Sequence, residues 1–304
     1  MANHILSCGR LAAVAGLLAL AFAGAVAAPA EGTPDAGAQR SYVYTALDFP
    51  GSSQTIFWGL DDLGRMAGQY AIAGGTAHAM TYRHGRFAPL APEELGQGFS
   101  AAGGPTDAGT TFGGYTDAAG AQHGFVIRHG GRFETVDFAG HLNSNVDGMD
   151  VLGTLLGVYW DADLTYHGIL RQDGGDTPFD YPGARDTYPL GLNSRGDSVG
   201  FWDIDPAVTH GWLRDAKGRM STLDVPGATS TAAFAVNERG QVAGYYADAA
   251  GVFHGFVKVG ETFRTLDMPG SVGTFVTALN NLGDVAGEYF DQNFARHGFT
   301  ATLK

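Results

Sequence analysis

Six histidines constrain this chain more than any other feature. His78, His123, His167, His210, His254 and His297 follow one another at intervals of 45, 44, 43, 44 and 43 residues. Ten residues before each stands a glycine: Gly68, Gly113, Gly157, Gly200, Gly244 and Gly287. Four residues earlier comes another: Gly64, Gly109, Gly153, Gly196, Gly240 and Gly283. Two residues after the second glycine is always an aromatic: Tyr70, Tyr115, Tyr159, Trp202, Tyr246 or Tyr289. No gap is needed in this stretch, so the chain is six copies of one supersecondary unit.

Each copy reads as four short strands. In the fifth, Thr229–Asn237 is the first strand, and Asn237-Glu238-Arg239-Gly240 closes a hairpin, with glycine supplying the positive φ such a loop needs. Gly240–Asp248 is the second strand, Phe253–Val259 the third and Thr262–Asp267 the fourth, stopped by Pro269-Gly270. Aromatic and β-branched residues alternate with period two in the last two. Forty-seven glycines with 12% aromatics fit many turns between short strands.

Four strands in 43 to 45 residues suit a propeller blade. The sixth copy stops at His297-Gly298-Phe299, after its third strand, while Ser41–Gly51 matches a fourth strand with its Pro-Gly stop. Residues 42–48 should therefore pair with the last copy and close the ring, where an open solenoid would leave two edges to be capped. The expected fold is an all-β, six-bladed propeller of four-stranded blades. Its units lie near 47–90, 91–136, 137–179, 180–223, 224–266, and 267–304 completed by 41–48.

Residues 1–28 read as a signal peptide: Arg10, an apolar run from Leu11 to Ala23, and small residues up to Ala28. Pro29–Arg40 has no apolar period and reads as a flexible leader. A periplasmic or extracellular protein is expected, with no membrane span and acting as a monomer. The one cysteine, Cys8, lies inside the signal, so no disulfide holds the mature fold. A net charge of −13 argues against nucleic acid as a partner.

The unit Asp-x-Pro-Gly, then Asn-x-x-Gly-x-x-x-Gly-x-Tyr, then His-Gly-Phe resembles the HAF family of bacterial extracellular repeats over residues 47–304. That family's namesake is His-Ala-Phe, and His78-Ala79-Met80 comes nearest to it. The resemblance implies secretion and a β-rich repeat fold and brings no catalytic residues.

Polar residues recur with the histidine. An aspartate ends the fourth strand at Asp48, Asp137, Asp180, Asp224 and Asp267, with Ala91 in its place once. A hydroxyl opens the first strand at Thr55, Ser100, Ser144, Thr187, Thr231 and Thr274. Asn or Asp opens the hairpin at Asp61, Asp150, Asn193, Asn237 and Asn280, with Thr106 in the second copy. Propeller topology puts Asp, hydroxyl and His at one end of each blade, where an Asp–His–Thr cluster would fasten it. The six histidines read as fasteners and not as a metal site, because equivalent blades place them on a ring and zinc ligands must converge on a point.

Two catalytic motifs fail on context. Gly196-Asp197-Ser198-Val199-Gly200 has the spacing of a nucleophile elbow but no strand–turn–helix setting. Asp161-x-Asp163 opens like a calcium loop, yet Tyr166 and Gln172 stand where its glycine and glutamate belong. No cofactor is expected; calcium between neighbouring loops is the one metal the paired acids leave open.

Specificity should lie where the copies differ. The turn before the third strand diverges most, with Asp117, Asp248, Asp291 and Phe294, and it concentrates acids beside aromatics at Trp160, Asp161, Asp163, Tyr166, Asp203 and Asp205. Glu93 and Glu94 belong to two residues inserted in the second copy. Those six residues are the candidate ligand site. The reading is an exported binding module presenting loops to a glycan, peptide or envelope protein. The alternatives are a polysaccharide hydrolase or lyase with an acidic site on one face, and a structural envelope protein with no small ligand.

Overall fold

The computed structural model describes residues 41–304 apart from 91, 93, 94, 97, 129, 139, 142 and 206. The expected signal peptide and leader lie outside the described residues, as do Ala91, Glu93 and Glu94. Strand β1 (Tyr42–Ala46) is followed by five sets of four. Blade 1 is β2 (Gln54–Leu60), β3 (Met66–Ala71), β4 (His78–Arg83) and β5 (Arg86–Pro89). Blade 2 is β6 (Ser100–Ala102), β7 (Thr111–Thr116), β8 (Gln122–Arg128) and β9 (Arg132–Val136). Blade 3 is β10 (Ser144–Met149), β11 (Leu155–Trp160), β12 (Tyr166–Gln172) and β13 (Gly175–Phe179). Blade 4 is β14 (Asp186–Leu192), β15 (Ser198–Asp205), β16 (Val208–Arg214) and β17 (Met220–Thr222). Blade 5 is β18 (Ser230–Val236), β19 (Val242–Ala247), β20 (Phe253–Val259) and β21 (Thr262–Leu266). Blade 6 has β22 (Gly273–Leu279), β23 (Val285–Phe290) and β24 (Arg296–Leu303), and β1 is its fourth strand.

Every blade is an antiparallel meander, and the fold is a six-bladed β-propeller. Ring closure follows the register the repeat demands, from Tyr42 opposite Leu303 to Ala46 opposite Phe299. Ser41 and Lys304 exchange backbone bonds at the end of the pair. The first strand of each blade faces the axis: β22 lies against β2, β10 against β14, and β18 against both β14 and β22. Every residue of β22 is buried, whereas β9 is exposed at most positions.

Two repeated glycines are required by backbone geometry. In the hairpins, Gly240 has φ +73° and Gly283 φ +93°, the left-handed conformation that side chains resist. On the second strand, a Cβ on Gly244 would lie 2.0 Å from the Ala232 carbonyl oxygen of the inner strand. The hairpin opener has a local cause as well. Asn237 Oδ1 accepts the N–H groups of Arg239 and Gln241, and Asp61 Oδ1 those of Leu63 and Arg65. An Asx turn thus replaces the missing ladder bonds.

The core lies between blades. Phe57, Met66 and Met80 of blade 1 pack on Ala278 and Ala286 of blade 6. Burying a side chain of phenylalanine size stabilises by about 1.5–3 kcal/mol. With no disulfide available, these interfaces and the two-piece sixth blade carry the fold.

Candidate functional site

Two regions hold the residues singled out by the repeat, and they behave differently. The first is the face formed by the turns that precede the first and third strands. There the histidines pair with the strand-ending aspartates through Nδ1: His123–Asp137 at 2.7 Å, His167–Asp180 at 3.0 Å, His210–Asp224 at 2.8 Å, His254–Asp267 at 2.9 Å and His297–Asp48 at 2.8 Å. The last joins the two ends of the chain. In four blades Nε2 approaches a turn aspartate as well: Asp117 at 3.4 Å, Asp161 at 3.5 Å, Asp248 at 3.5 Å and Asp291 at 3.7 Å. His78 stands 6.2 Å from Tyr70, ring to ring, and its blade has Ala91 where the aspartate would be.

The repeated aromatics stack on these imidazoles. Trp202 lies 4.7 Å from His210, and Tyr181 covers its other face at 4.6 Å. His141, Tyr159 and His167 form a similar column, at 3.5 Å and 5.0 Å. The Asp267 bond is the main cause that holds His254 above its ordinary pKa, against the opposing effect of burial. At His123 burial is the largest single effect and lowers the pKa, yet Asp137 and Asp117 together reverse it.

The hydroxyl does not join the histidine, which corrects the expected three-part cluster. Thr231 Oγ1 instead accepts the Val225 N–H at 3.1 Å, and Thr55, Thr187 and Thr274 accept the corresponding N–H of Phe49, Tyr181 and Met268. The hydroxyl fixes the turn that carries the aspartate. Ser100 differs again, accepting the Ala79 N–H of the preceding blade at 2.9 Å.

The six candidate ligand residues do not form one cleft. Trp160 and Tyr166 are 7% and 6% exposed and belong to the aromatic core with Tyr188 and Phe201. No ligand can stack on rings that are covered. Asp203 is buried at 3%, whereas Asp161, Asp163 and Asp205 are exposed. The turn acids are occupied by their own loops: Asp248 Oδ1 accepts from Ala250 and Val252, Asp117 Oδ1 from Ala119 and Ala121, and Asp291 Oδ1 from Asn293 and Ala295. Backbone bonds lead the causes that lower Asp117 and Asp291. Their divergent sequence reflects loop closure more than recognition. Ser198 is fully buried at the start of β15, opposite Leu192 and Arg214, and has no access to a substrate. Among the described residues no group of three or more His, Cys, Asp or Glu is placed to hold a metal.

The second region is the axis. Every inner strand but β6 carries a bulge, and the extra residue is Trp58, Asp147, Leu190, Phe234 or Thr277. Gly103 holds the same place in blade 2, three residues after the recurrent hydroxyl. These six residues line a cavity of about 150 Å³ that all six blades enclose and that opens among the hairpins. They also help to line a second space of about 50 Å³, which extends toward Gly113 and Gly114 of blade 2.

Asp147 sits in both walls. Its carboxyl is enclosed by protein, while the residue as a whole is half-buried because it borders the cavity. Burial pushes it up to about 8, although a bond from the Val158 N–H works the other way. Its Oδ2 has no partner, and neither does Oδ1 of Asn145, which is 5% exposed. The amide fits there only because Gly114 has no side chain: a Cβ would lie 2.2 Å from Asn145 Oδ1. Sequence reasoning missed this region. The signal was the inner-strand position that reads Trp, Gly, Asp, Leu, Phe, Thr through the six copies.

No protein-family model and no curated protein matches the chain. Solved structures do resemble it. AofleA from Arthrobotrys oligospora is similar at 13% identity and a TM-score of 0.56 over 90% of each chain. The Aleuria aurantia lectin, described as a six-bladed β-propeller with a novel fucose recognition mode, is similar at 11% identity and 0.50 over 81% of this chain and 92% of that one. TolB from Acinetobacter baumannii is similar at 10% identity and 0.52, with 79% of this chain and 64% of that chain covered. At such identities the likeness is one of fold.

Proposed function

We propose that this protein is an exported binding module whose ligand enters the axial cavity from the hairpin face. The observation that carries the reading is the wall of that cavity. All six blades contribute a different residue from one shared inner-strand position to it, and buried oxygens in the wall and in the adjoining inner space stand unpartnered. Buried polar groups are almost always bonded, so unpaired ones beside a cavity indicate a missing partner. The kinship in fold with lectins, one of them described by its fucose recognition, supports binding as the use of such a scaffold. The HAF-like repeat and the apolar amino-terminal run support a place outside the cytoplasm.

Binding is favoured over hydrolysis because a glycosidase needs two free carboxylates across its substrate. Asp61 and Asp150 also line the cavity, but their Oδ1 atoms cap their own hairpins, and Asp62, Asp107 and Glu238 at its mouth accept backbone bonds from neighbouring hairpins. Screening the mature chain on glycan and peptide arrays tests the proposal. Retention should fall at least tenfold for Asp147→Ala and change little for Asp161→Ala. The reverse pattern would move the site to the opposite face.

A further inference from the structure

The geometry points to a ligand whose buried tip is a primary ammonium, received by the Asp147 carboxyl and the Asn145 amide oxygen in the axial cavity. The inference rests on the axial binding site and names its ligand class. Three observations carry it.

The first is that the two open atoms are oxygens, both of them acceptors once Asp147 gives up its proton to an incoming cation. Asp147 Oδ2 and Asn145 Oδ1 are buried and unbonded, and both line the inner space with Trp58 and Phe234. An ammonium brings three donors and no acceptor, which is the complement of such a pair. The second is charge. Asp62, Asp107, Asp147 and Glu238 line the cavity, and among the described residues no Lys, Arg or His does. A mouth of one sign draws in the opposite sign. A buried carboxylate without a counter-charge is costly, and burial accordingly holds the proton on Asp147 up to about pH 8. An ammonium would supply charge and hydrogen bonds together. The third is size and lining. The cavity of about 150 Å³, and the inner space of about 50 Å³ that both acceptors line, are smaller than the roughly 300–1,000 Å³ of pockets for drug-sized ligands. They suit a small amine or the end of one side chain. Trp58 and Phe234, 6.1 Å apart, put aromatic surface beside the carboxyl, an arrangement that favours a cation over a neutral polar group.

A metal ion fits less well. Calcium takes six to eight oxygens and Asp147 with Asn145 offers three at most. A lysine side chain of a peptide and a free alkylamine share the required chemistry, and the probes below separate them.

Calorimetric titration of the mature chain decides the matter with four probes: n-butylammonium, butyltrimethylammonium, n-butanol, and an acetylated, amidated Gly-Lys-Gly peptide. Saturable binding of n-butylammonium or the peptide is expected, at least tenfold weaker for butyltrimethylammonium, which has the charge without N–H donors, and absent for butanol. Tighter binding of the peptide identifies a lysine side chain as the source; tighter binding of the free amine identifies a small amine. Asp147→Asn keeps the shape and should weaken the amine at least tenfold with a melting temperature no lower than that of the parent chain. If that variant fails to fold, Asn145→Ala is read in its place with the same expectation. Equal binding of the quaternary amine, equal binding by the variant, or no binding of either amine would overturn the inference. An array ligand without an amine that still depends on Asp147 would leave the axial site standing and remove only the ligand class.

Discussion

Blade 5 and blade 2 are copies of one unit, yet they differ at the axis and agree at the rim. Both keep the histidine–aspartate pair, His254 with Asp267 and His123 with Asp137. At the axis, blade 5 presents Phe234 from its bulge and Tyr245 from its second strand. Blade 2 presents Gly103 and Gly114 there, and its inner strand is only three residues long. The space left by those glycines is where Asn145 and Asp147 of blade 3 lie unpaired. The repeat is therefore maintained where it fastens each blade and given up where it would have filled the centre. A fold held by five rim pairs can spare one inner strand for another purpose.

Cutting the blade on which ring closure depends breaks this comparison most severely. Removing residues 41–48 deletes β1, the Asp48 partner of His297 and the backbone pairing along β24. Cooperative thermal unfolding should be lost or shifted down by more than 15 °C, read by circular dichroism. A propeller indifferent to the loss would mean that closure contributes little.

The next effect separates the axis from the rim by pH. The Asp147 pKa is raised to about 8 in the folded chain from an ordinary value near 3.8. For an acid shifted upward, folding takes up a proton between those values. The contribution is fully present below about pH 4 and is lost as pH rises through about 8, on the order of 6 kcal/mol at most. Asp147→Asn should flatten the slope of denaturant stability over that window. Two rim histidines shift in the same sense. His254 and His123 are held above their usual value, so their contribution is full below about pH 6.5 and fades as pH passes the raised folded value. An unchanged slope in the variant would assign the dependence to the rim.

The rim can be sharpened by comparing two blades. His254→Ala removes bonds to Asp267 and the approach to Asp248, and should cost about 1–2 kcal/mol. His78→Ala loses chiefly its ring contact with Tyr70, since its blade has Ala91 in the aspartate position, and should cost under about 1 kcal/mol. Equal losses in urea titrations would show that packing, not pairing, is what the histidine supplies.

These pairs also show what sequence could and could not reveal. Constant spacing disclosed the blade, the hairpin glycines and the strand exchange at the ends, because backbone constraints repeat wherever the backbone does. The His–Asp partnership was legible for the same reason. The axis was not. Its residues are set by which side chains meet across a ring, and Asn145 acquires its place from Gly114 in a different copy. Trp160 and Tyr166 misled because an aromatic beside an acid looks alike whether its ring faces water or the core. The divergence of the turn acids seemed informative, but Asx closure tolerates many sequences around one carboxylate.

The smallest effect lies on the hairpin face, where a chain of bonds links successive blades and then stops. The Ser194 N–H donates to Glu238, the Glu238 N–H to Asn281, the Asn281 N–H to Asp62 and the Asp62 N–H to Asp107, at 2.7 to 3.0 Å. The next position in the sequence of blades is Val151, which offers no acceptor and is 57% exposed. The lapse falls between blades 2 and 3, beside the cavity mouth that Val151 helps to line. Val151→Asn restores an acceptor for the Asp107 N–H without adding charge to an acidic face. One exposed, neutral bond should raise stability by about 0.5 kcal/mol, a shift in melting temperature of one or two degrees. The new bond ties the hairpins of blades 2 and 3 together across the entrance, so amine binding should slow in its on-rate while stability rises. Faster or unchanged association in a stabilised variant would show that the ligand enters elsewhere, and that the break in the ring has no connection with the space beneath it.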